Sequence, residues 1–407
     1  MVLKSEITKA VNAQQLFFSK KASGLLRSEL ESVALSENYI LIITGIRRCG
    51  KSTLMHQISQ QLKKQIAYFN FEDPRIFGFE KKDFSKLNEV LGDKTDYYFF
   101  DEIQNIEGWE VFIRHLHDQN KVICLTGSNA SLLSKELGTR LSGRHLIIEL
   151  FPFSFLEYCS YKKKDANPTT FEKYIAEGGF PDYLKIKQKE YLQQLLKDLV
   201  YRDIIVRHGI RNDKLVMDIL LFLIWNVGKE YSLNSIRKVF GVGSTNSVAD
   251  YVRWFEDAYL LFSVPRFSWS LKSVAINPKK VYTIDPAFAQ ANSLSFSEDK
   301  GRLLENIIYL ELRRKFKEIY YFREKGECDF VVKEGKKVKL LLQVCSAVTT
   351  DNMPREVDGL IEAMDYFKLK EGFIVTLNQR DTLLKSDKKI ELIPAEEWIK
   401  SLDKSKP

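Results

Sequence analysis

The sequence predicts an α/β fold. It should have a parallel sheet with helices on both faces, a helical middle, and a second, small α/β region towards the C-terminal end. Three observations predict it. The first 150 residues alternate short apolar runs with stretches of helical spacing. Strand signals then vanish from about Phe151 to about Leu261. They return at Lys280–Ile284 and continue as far as Gly372–Thr376.

Taken in order, residues 1–38 read as a polar, helical lead-in. Tyr39–Thr44, YILIIT, is a continuous apolar run, as expected of a strand buried on both faces. A helix is predicted from Lys51 to about Lys64, with Leu54, Met55, Ile58 and Leu62 at helical spacing. Further strands are expected at Ile66–Phe71, Tyr97–Phe100, Val122–Leu125 and His145–Leu150. Pro152–Asp203 reads as an aromatic-rich helix, the turn Gly178-Gly179-Phe180-Pro181, and a long helix through Tyr191–Tyr201. Asp213–Val264 reads as three helices and a short strand. The C-terminal part follows as helix Gly301–Lys317, strands Ile319–Phe322, Cys328–Lys333 and Val338–Val344, helix Arg355–Phe367 and strand Gly372–Thr376. The expected division is 1–150, 151–211, 212–270 and 280–407.

Composition bounds the function. A chain of 407 residues is long enough for two to three domains. With 44% hydrophobic and 12% aromatic residues it can bury cores and is not a disordered chain. The net charge of +8 permits a nucleic-acid partner without requiring one. The five cysteines, Cys49, Cys124, Cys159, Cys328 and Cys345, are odd in number and form no C-x-x-C pair. That spacing fits neither a disulfide framework nor a zinc site and points to a reducing compartment. No signal peptide is visible, and the longest apolar run, Ile219–Trp225, is far short of the about 20 residues that span a bilayer. A cytoplasmic protein with no membrane partner is expected.

The first chemical motif is GIRRCGKST, Gly45–Thr53, which matches G-x-x-x-x-G-K-[ST]. Gly45 and Gly50 let the backbone curl so that successive N–H groups of Arg48, Cys49 and their neighbours face phosphate oxygens. The helix that follows turns its positive end to the same place. Lys51 reaches the β- and γ-phosphates, the hydroxyl of Ser52 is a Mg2+ ligand, and Thr53 continues the cradle. The loop sits between a buried strand and a helix, which is the context such a loop needs.

The second motif is YYFFDEI. Asp101 ends an apolar strand, where it can hold Mg2+, and Glu102 is placed to polarise an attacking water. No N-K-x-D guanine-reading motif is present, so ATP is favoured over GTP. The third is CLTGSNASLL, in which Ser128 or Asn129 stands at a strand end and can meet the γ-phosphate or the water. Downstream, TRLSGRH offers Arg140 and Arg144. An arginine there can stabilise transition-state charge in its own subunit or in a neighbour's.

These motifs together, GIRRCGKST, YYFFDE, LTGSN, LSGR, FPFSFLEY and GGFP, resemble the bacterial and archaeal AAA+ ATPases that carry a C-terminal domain of unknown function, the AAA-14/DUF4143 type. The resemblance covers nearly the whole chain. It implies a P-loop NTPase core of five strands in which the sensor strand separates the acidic strand from the loop strand. It also implies roles: Lys51 and Ser52 for phosphate and metal, Asp101 and Glu102 for metal and water, Asn129 or Ser128 as sensor, and Arg144 as finger. Arg47 and Arg48 match the family's loop, and their side chains would face phosphates, a neighbouring protomer or solvent.

The middle segment YSLNSIRKVFGVGSTNSVADYVRWFEDAYLLFSVPRF has a helix–turn–helix–strand layout, and the resemblance implies a winged helix there. Leu233, Ile236 and Val239 should pack one helix, and Val248, Tyr251, Val252 and Phe255 the next. Ser244, Thr245, Asn246 and Ser247 could reach bases, and Arg237, Lys238 and Arg253 could reach phosphates of double-stranded DNA. Asp250, Glu256 and Asp257, expected on the exposed side, would repel that backbone. A protein client is the other partner this segment allows. In the C-terminal part Glu305, Glu327, Asp329 and LLQVCSA resemble a PD-(D/E)xK nuclease. Gln343 and Cys345 stand where an active member has glutamate and lysine, so a hard cation would lack a ligand and the site is expected to be degenerate. The function expected is therefore ATP binding and hydrolysis coupled to domain rearrangement on DNA, as a homo-oligomer or alone. The rivals are a protein-binding signalling switch and an ATP-dependent nuclease.

Overall fold

The computed structural model describes residues 1–92, 95–128, 143–293, 300–385 and 387–404. It divides into two compact units, Met1–Phe151 and Pro152–Pro407.

The first unit is a five-stranded parallel sheet. Its strands are β1 (Ile40–Thr44), β2 (Ala67–Asn70), β3 (Tyr97–Asp101), β4 (Val122–Gly127) and β5 (His145–Glu149), in the order β2-β3-β4-β1-β5. Every expected strand of this region is present. β1 is buried along its whole length because it lies between β4 and β5, with Leu41 opposite Cys124 and Leu146. The acidic strand β3 is separated from the loop strand β1 by β4, as the resemblance implied. Parallel strands all finish at one edge, and open sheets of this kind bind ligands there. Gly45, Asp101 and Ser128 all follow or end strands at that edge.

One face of this sheet is closed by an aromatic core that includes Phe69, Phe71, Phe79, Phe84, Phe100 and Phe112. Helix α1 (Lys4–Ser19) joins it through Ile7, Ala10 and Val11. Helix α2 (Lys51–Leu62) follows the glycine loop, and α3 (Asp83–Leu91) and α4 (Trp109–Asp118) complete the unit. The lead-in is helical only as far as Ser19, apart from the 3-10 turn Ser28–Ser32. After α1 the chain is pinned to α2 instead: Gln57 Nε2 donates to the carbonyls of Ser23 (2.6 Å) and Leu25 (2.7 Å).

In the second unit the helix Lys189–Leu199 runs on as a π-helix over Val200–Val206. Then come helix Asp213–Trp225, β6 (Glu230–Tyr231), helices Leu233–Phe240 and Thr245–Asp257, β7 (Leu261–Pro265) and β8 (Lys279–Thr283). The three strands form an antiparallel sheet in the order β6-β8-β7. Two expectations for these helices are corrected. Val239 is exposed, because Ile236 alone of its helix is fully buried. Glu256 turns inward and accepts the backbone N–H of Ser263 at 3.0 Å.

The C-terminal sheet is mixed and six-stranded, in the order β13-β14-β12-β11-β10-β9. Its strands are β9 (Glu318–Arg323), β10 (Glu327–Glu334), β11 (Lys337–Val344), β12 (Glu371–Thr376), β13 (Asp381–Lys385) and β14 (Lys388–Pro394). The first four match the sequence expectation, and the last two were missed. β13 is an edge strand with almost no buried residue, so it carries no hydrophobic alternation to read. Helix Lys300–Lys315 and helix Met353–Phe367 belong to this part. The glycine pair of the GGFP turn is fixed by Asp285, whose Oδ2 accepts from Gly179 N at 2.6 Å. Gly178 has φ 62°, and a Cβ there would lie 2.2 Å from Asp285 Oδ1. Among the described residues no helix is long and apolar enough to cross a membrane.

Candidate nucleotide site

The loop that leaves β1 is shaped by its glycines. Gly45 has φ 148° and lies so close to the exit of β5 that a Cβ would fall 2.1 Å from the Leu150 carbonyl oxygen. Gly50 has φ 106°, and Arg48 between them takes a left-handed φ of 68°. Helix α2 begins immediately afterwards, at Lys51. Cys49 is fully buried, and burial pushes its thiol pKa up, so it packs as an apolar side chain rather than acting as a thiolate. Thr53 closes the first turn of α2 by donating its N–H to Gly50 O at 3.0 Å.

Lys51 is folded back into this loop and is only 4% exposed. Its Nζ donates to Gly45 O (3.1 Å) and Ile46 O (3.2 Å) and stands 3.3 Å from Glu102 Oε1. Burial works against the ammonium, but the surrounding negative charge, Glu102 first and Asp101 behind it, together holds the lysine pKa above its ordinary value. Glu102 is buried as well. Desolvation would raise its pKa, but Lys51, Arg47 and the hydrogen bonds it accepts bring it below the usual carboxylate range.

Asp101 lies at the end of β3 with its carboxylate enclosed. Thr126 donates its hydroxyl to Oδ1, and Tyr68 donates to Oδ2 at 3.1 Å. Ser52 hydrogen-bonds the same carboxylate, so the two expected metal ligands are already side by side. Burial, and then the charge of Glu102, raise the Asp101 pKa. A cation set between Ser52 and Asp101 would relieve both effects, so the donor set fits Mg2+.

Thr126 also accepts the N–H of Glu102 at 2.9 Å. One hydroxyl of β4 therefore ties both acidic residues. Glu102 itself sits at φ 52°, a left-handed conformation that turns its side chain towards Lys51. Its Oε2 accepts from Gln104 Nε2 at 2.6 Å, and the same amide is 3.4 Å from Ser128 Oγ. Gln104 Oε1 is buried and has no partner.

Sequence reasoning missed three of these residues. Gln104 follows the acidic pair by two positions, a spacing that could have flagged it. Thr126 lies within the quoted LTGSN. Arg27 carried no signal, since it stands in a polar stretch. It is nonetheless 3% exposed, and its guanidinium donates to Cys49 O (2.9 Å) and Phe151 O (2.8 Å), bracing the loop against the exit of β5.

Ser128 is buried at the end of β4 and joins the site through Gln104. Asn129 and Arg140 lie outside the described residues. Arg47 is engaged by Glu72 at 2.6 Å. Arg144 is not brought to this site. Ile40 N, at the start of β1, donates to Arg144 O at 3.0 Å, so Arg144 lies at the opposite edge of the sheet from the loop. Five strand residues at about 3.3 Å each put roughly 16 Å between the two edges. Its guanidinium faces Asp118 at 3.6 Å. Arg144 thus stands away from its own loop, and the ion pair with Asp118 is the contact the structure gives it.

In the second unit Ser244 caps the helix Thr245–Asp257 by accepting from Ser247 N at 3.0 Å, and Arg253 is paired with Asp250 at 2.8 Å. Gln343 spends its amide within the fold, accepting from Asp329 N (3.1 Å) and donating to Glu356 Oε2 (2.6 Å). Cys345 is buried beside it.

A strand-order β2-β3-β4-β1-β5 sheet, a glycine loop running into a helix, and an acidic pair tied to the intervening strand define a P-loop ATPase core of the AAA+ class. Residues 37–159 match an AAA domain of the AAA-14 type, residues 168–299 a domain of unknown function (DUF8612), and residues 300–398 a domain of unknown function (DUF4143). The chain is 34% identical to the uncharacterized protein MJ1544 of Methanocaldococcus jannaschii, over 98% of this chain and 96% of that one. It is 28% identical to an uncharacterized protein of Haemophilus influenzae, over 81% of this chain and 88% of that one. The chain belongs to the AAA+ ATPase family of the AAA-14/DUF4143 type. Among solved structures, the Thermotoga maritima RuvB Holliday junction branch migration motor matches with a TM-score of 0.30 at 18% identity, covering 64% of this chain and 88% of that one. AMPPCP-bound DnaA from Aquifex aeolicus matches with a TM-score of 0.27 at 13% identity, covering 56% of this chain and 84% of that one.

Proposed function

We propose that the chain is a Mg2+-dependent ATP hydrolase that couples turnover to rearrangement of its second unit on double-stranded DNA. The observation that carries the enzymatic part is the continuous contact from Lys51 to Glu102 to Gln104 to Ser128, beside the Ser52–Asp101 pair. Lys51 exchanges the loop carbonyls and Glu102 for the β- and γ-phosphates. Losing that ion pair leaves Glu102 a free, buried acceptor, able to orient a water for in-line attack on the γ-phosphate. Ser52 and Asp101 would hold Mg2+, which would supply neutralising charge for the phosphate oxygens. Ser128 and Gln104 position Glu102, and Asn129 is the other sensor residue on this reading. Arg144 serves the nucleotide of an adjacent copy, which makes the working form a homo-oligomer.

In the second unit we read 151–211 as a lid-like helical segment, 212–270 as a winged helix and 280–407 as the nuclease-like domain. The β6-β8-β7 sheet beside helices Leu233–Phe240 and Thr245–Asp257 supports the winged-helix reading. The inward turn of Glu256 removes one of the three acidic groups expected to repel DNA. A protein client is the second reading, and the Arg253–Asp250 ion pair favours it by neutralising one of the expected phosphate contacts. ATP hydrolysis with and without double-stranded DNA, across a salt series, separates the two. Stimulation that fades as salt rises supports action on DNA. Turnover indifferent to DNA, with no binding at low salt, leaves the protein client. No hydrolysis under any of these conditions rejects the enzyme.

A further inference from the structure

The C-terminal sheet carries an open cavity of about 890 Å3, lined in part by Lys280, Glu305, Glu327, Asp329, Gln343 and Glu356. At its floor three carboxylates from two elements converge on one point. Glu305 comes from helix Lys300–Lys315, and Glu327 and Asp329 come from β10. That point is filled by an ammonium. Lys280 Nζ lies 3.1 Å from Glu305 Oε1, 2.6 Å from Glu327 Oε1 and 2.7 Å from Asp329 Oδ1. Its side chain is 3% exposed. Lys280 belongs to neither element that supplies the acids. It arrives from β8, the central strand of the three-stranded sheet.

The arrangement is more than an ordinary buried ion pair. One ammonium faces three carboxylates, and two of them also accept from neutral donors. Tyr282 donates its hydroxyl to Glu305 Oε1 at 2.7 Å, and Val344 N donates to Asp329 Oδ2 at 2.9 Å. Oxygen atoms fixed around a point at a cavity floor are what a hard divalent cation takes as ligands. Two of the three spacings, 2.7 and 3.1 Å, are longer than the about 2.0–2.6 Å of Mg2+ or Ca2+ to oxygen and suit N–H···O contacts. Accordingly, among the described residues no group of three or more His, Cys, Asp or Glu side chains stands ready to hold a metal ion.

We propose that Lys280 is a tethered cation: its ammonium takes the place of a hard divalent ion within a cage of Glu305, Glu327 and Asp329, and without it that cage binds Mn2+ or Ca2+. The lysine that the β11 motif lacks is thus replaced in charge, though not in position, by one from another sheet. It closes the cage and anchors β8 to the C-terminal sheet.

The test is Mn2+ binding, by calorimetry and by the spin-resonance signal of free Mn2+, on the full chain and its Lys280→Met variant. The variant should bind one Mn2+ more per chain than the parent, with a Kd of about 1 mM or tighter. Lys280→Met combined with Glu305→Gln should lose that extra ion, which separates it from any ion at Asp101. A folded Lys280→Met chain with no extra ion overturns the proposal. So does a parent chain that already binds an ion removed by Glu305→Gln. If Lys280→Met fails to fold, it is refolded with millimolar Mn2+ or Ca2+. Recovery of the native circular dichroism supports the proposal. Failure of either cation to restore it, whether or not Glu305→Gln does, overturns it.

Discussion

Glu102 is the residue on which the proposed chemistry turns, and three contacts fix it: the Lys51 ammonium, the Gln104 amide and its own N–H on Thr126. Replacing Glu102 with Gln should leave ATP binding intact and abolish turnover. Gln104 differs, because it acts through Glu102. Gln104→Ala should lower kcat about 10- to 100-fold, in line with the cost of a displaced catalytic group, and leave KM for ATP within about twofold. Single-turnover kinetics with radiolabelled ATP would check the split. An equal loss in kcat/KM and nucleotide affinity would instead make Gln104 a packing residue. The residue scale is also where sequence reading reached furthest. Gly45, Gly50, Lys51, Ser52, Asp101 and Glu102 could be picked out because the proposed phosphate and metal chemistry would demand each at a fixed spacing. Gln104, Thr126 and Arg27 were not, because a hydrogen bond across the sheet leaves no periodic trace in the sequence.

Among the elements, the GGFP turn makes a clear demand. Asp285 is fully buried, and burial raises its pKa from 3.8 to about 6, opposed by the N–H groups it accepts from Gly179 and Phe288. The folded form therefore takes up this proton more readily than the unfolded chain. The resulting stabilisation is fully present below pH of about 4 and is lost as pH rises through about 6. A shift of about two pKa units corresponds to roughly 3 kcal/mol across that window. Urea denaturation followed at pH 4, 5, 6 and 7 should show stability declining over this range in the parent chain. Asp285→Asn, which has no such proton, should flatten that part of the profile. An unchanged slope would mean that other carboxylates govern it. Elements were legible where burial imposes a period. The all-buried β1 announces itself as an apolar run, whereas β13, exposed along nearly its whole length, follows only from its pairing with β14.

At the scale of the whole molecule, the placement of Arg144 sets the expectation. With loop and arginine at opposite edges of one sheet, the proposed role of Arg144 would require a head-to-tail neighbour. Contacts of that kind are heterologous and close into rings or run on as filaments. Mixing Arg144→Ala chains with Glu102→Gln chains should then restore activity, since an intact Glu102 in the first can receive an intact arginine from the second. Each variant alone should remain nearly inactive. Full activity of Arg144→Ala alone, at chain concentrations low enough to keep it monomeric, would remove the arginine from the mechanism.

The folded-back position of Lys51 bears on which nucleotides the loop would hold. Its ammonium is held by Gly45 O, Ile46 O and Glu102, so on the proposed reading Lys51 would exchange three partners for phosphate oxygens. Nucleotides lacking the phosphates that Lys51 would follow would leave the lysine where it is. Phosphate count would then be read at Lys51 itself, before any sensor residue or partner subunit takes part.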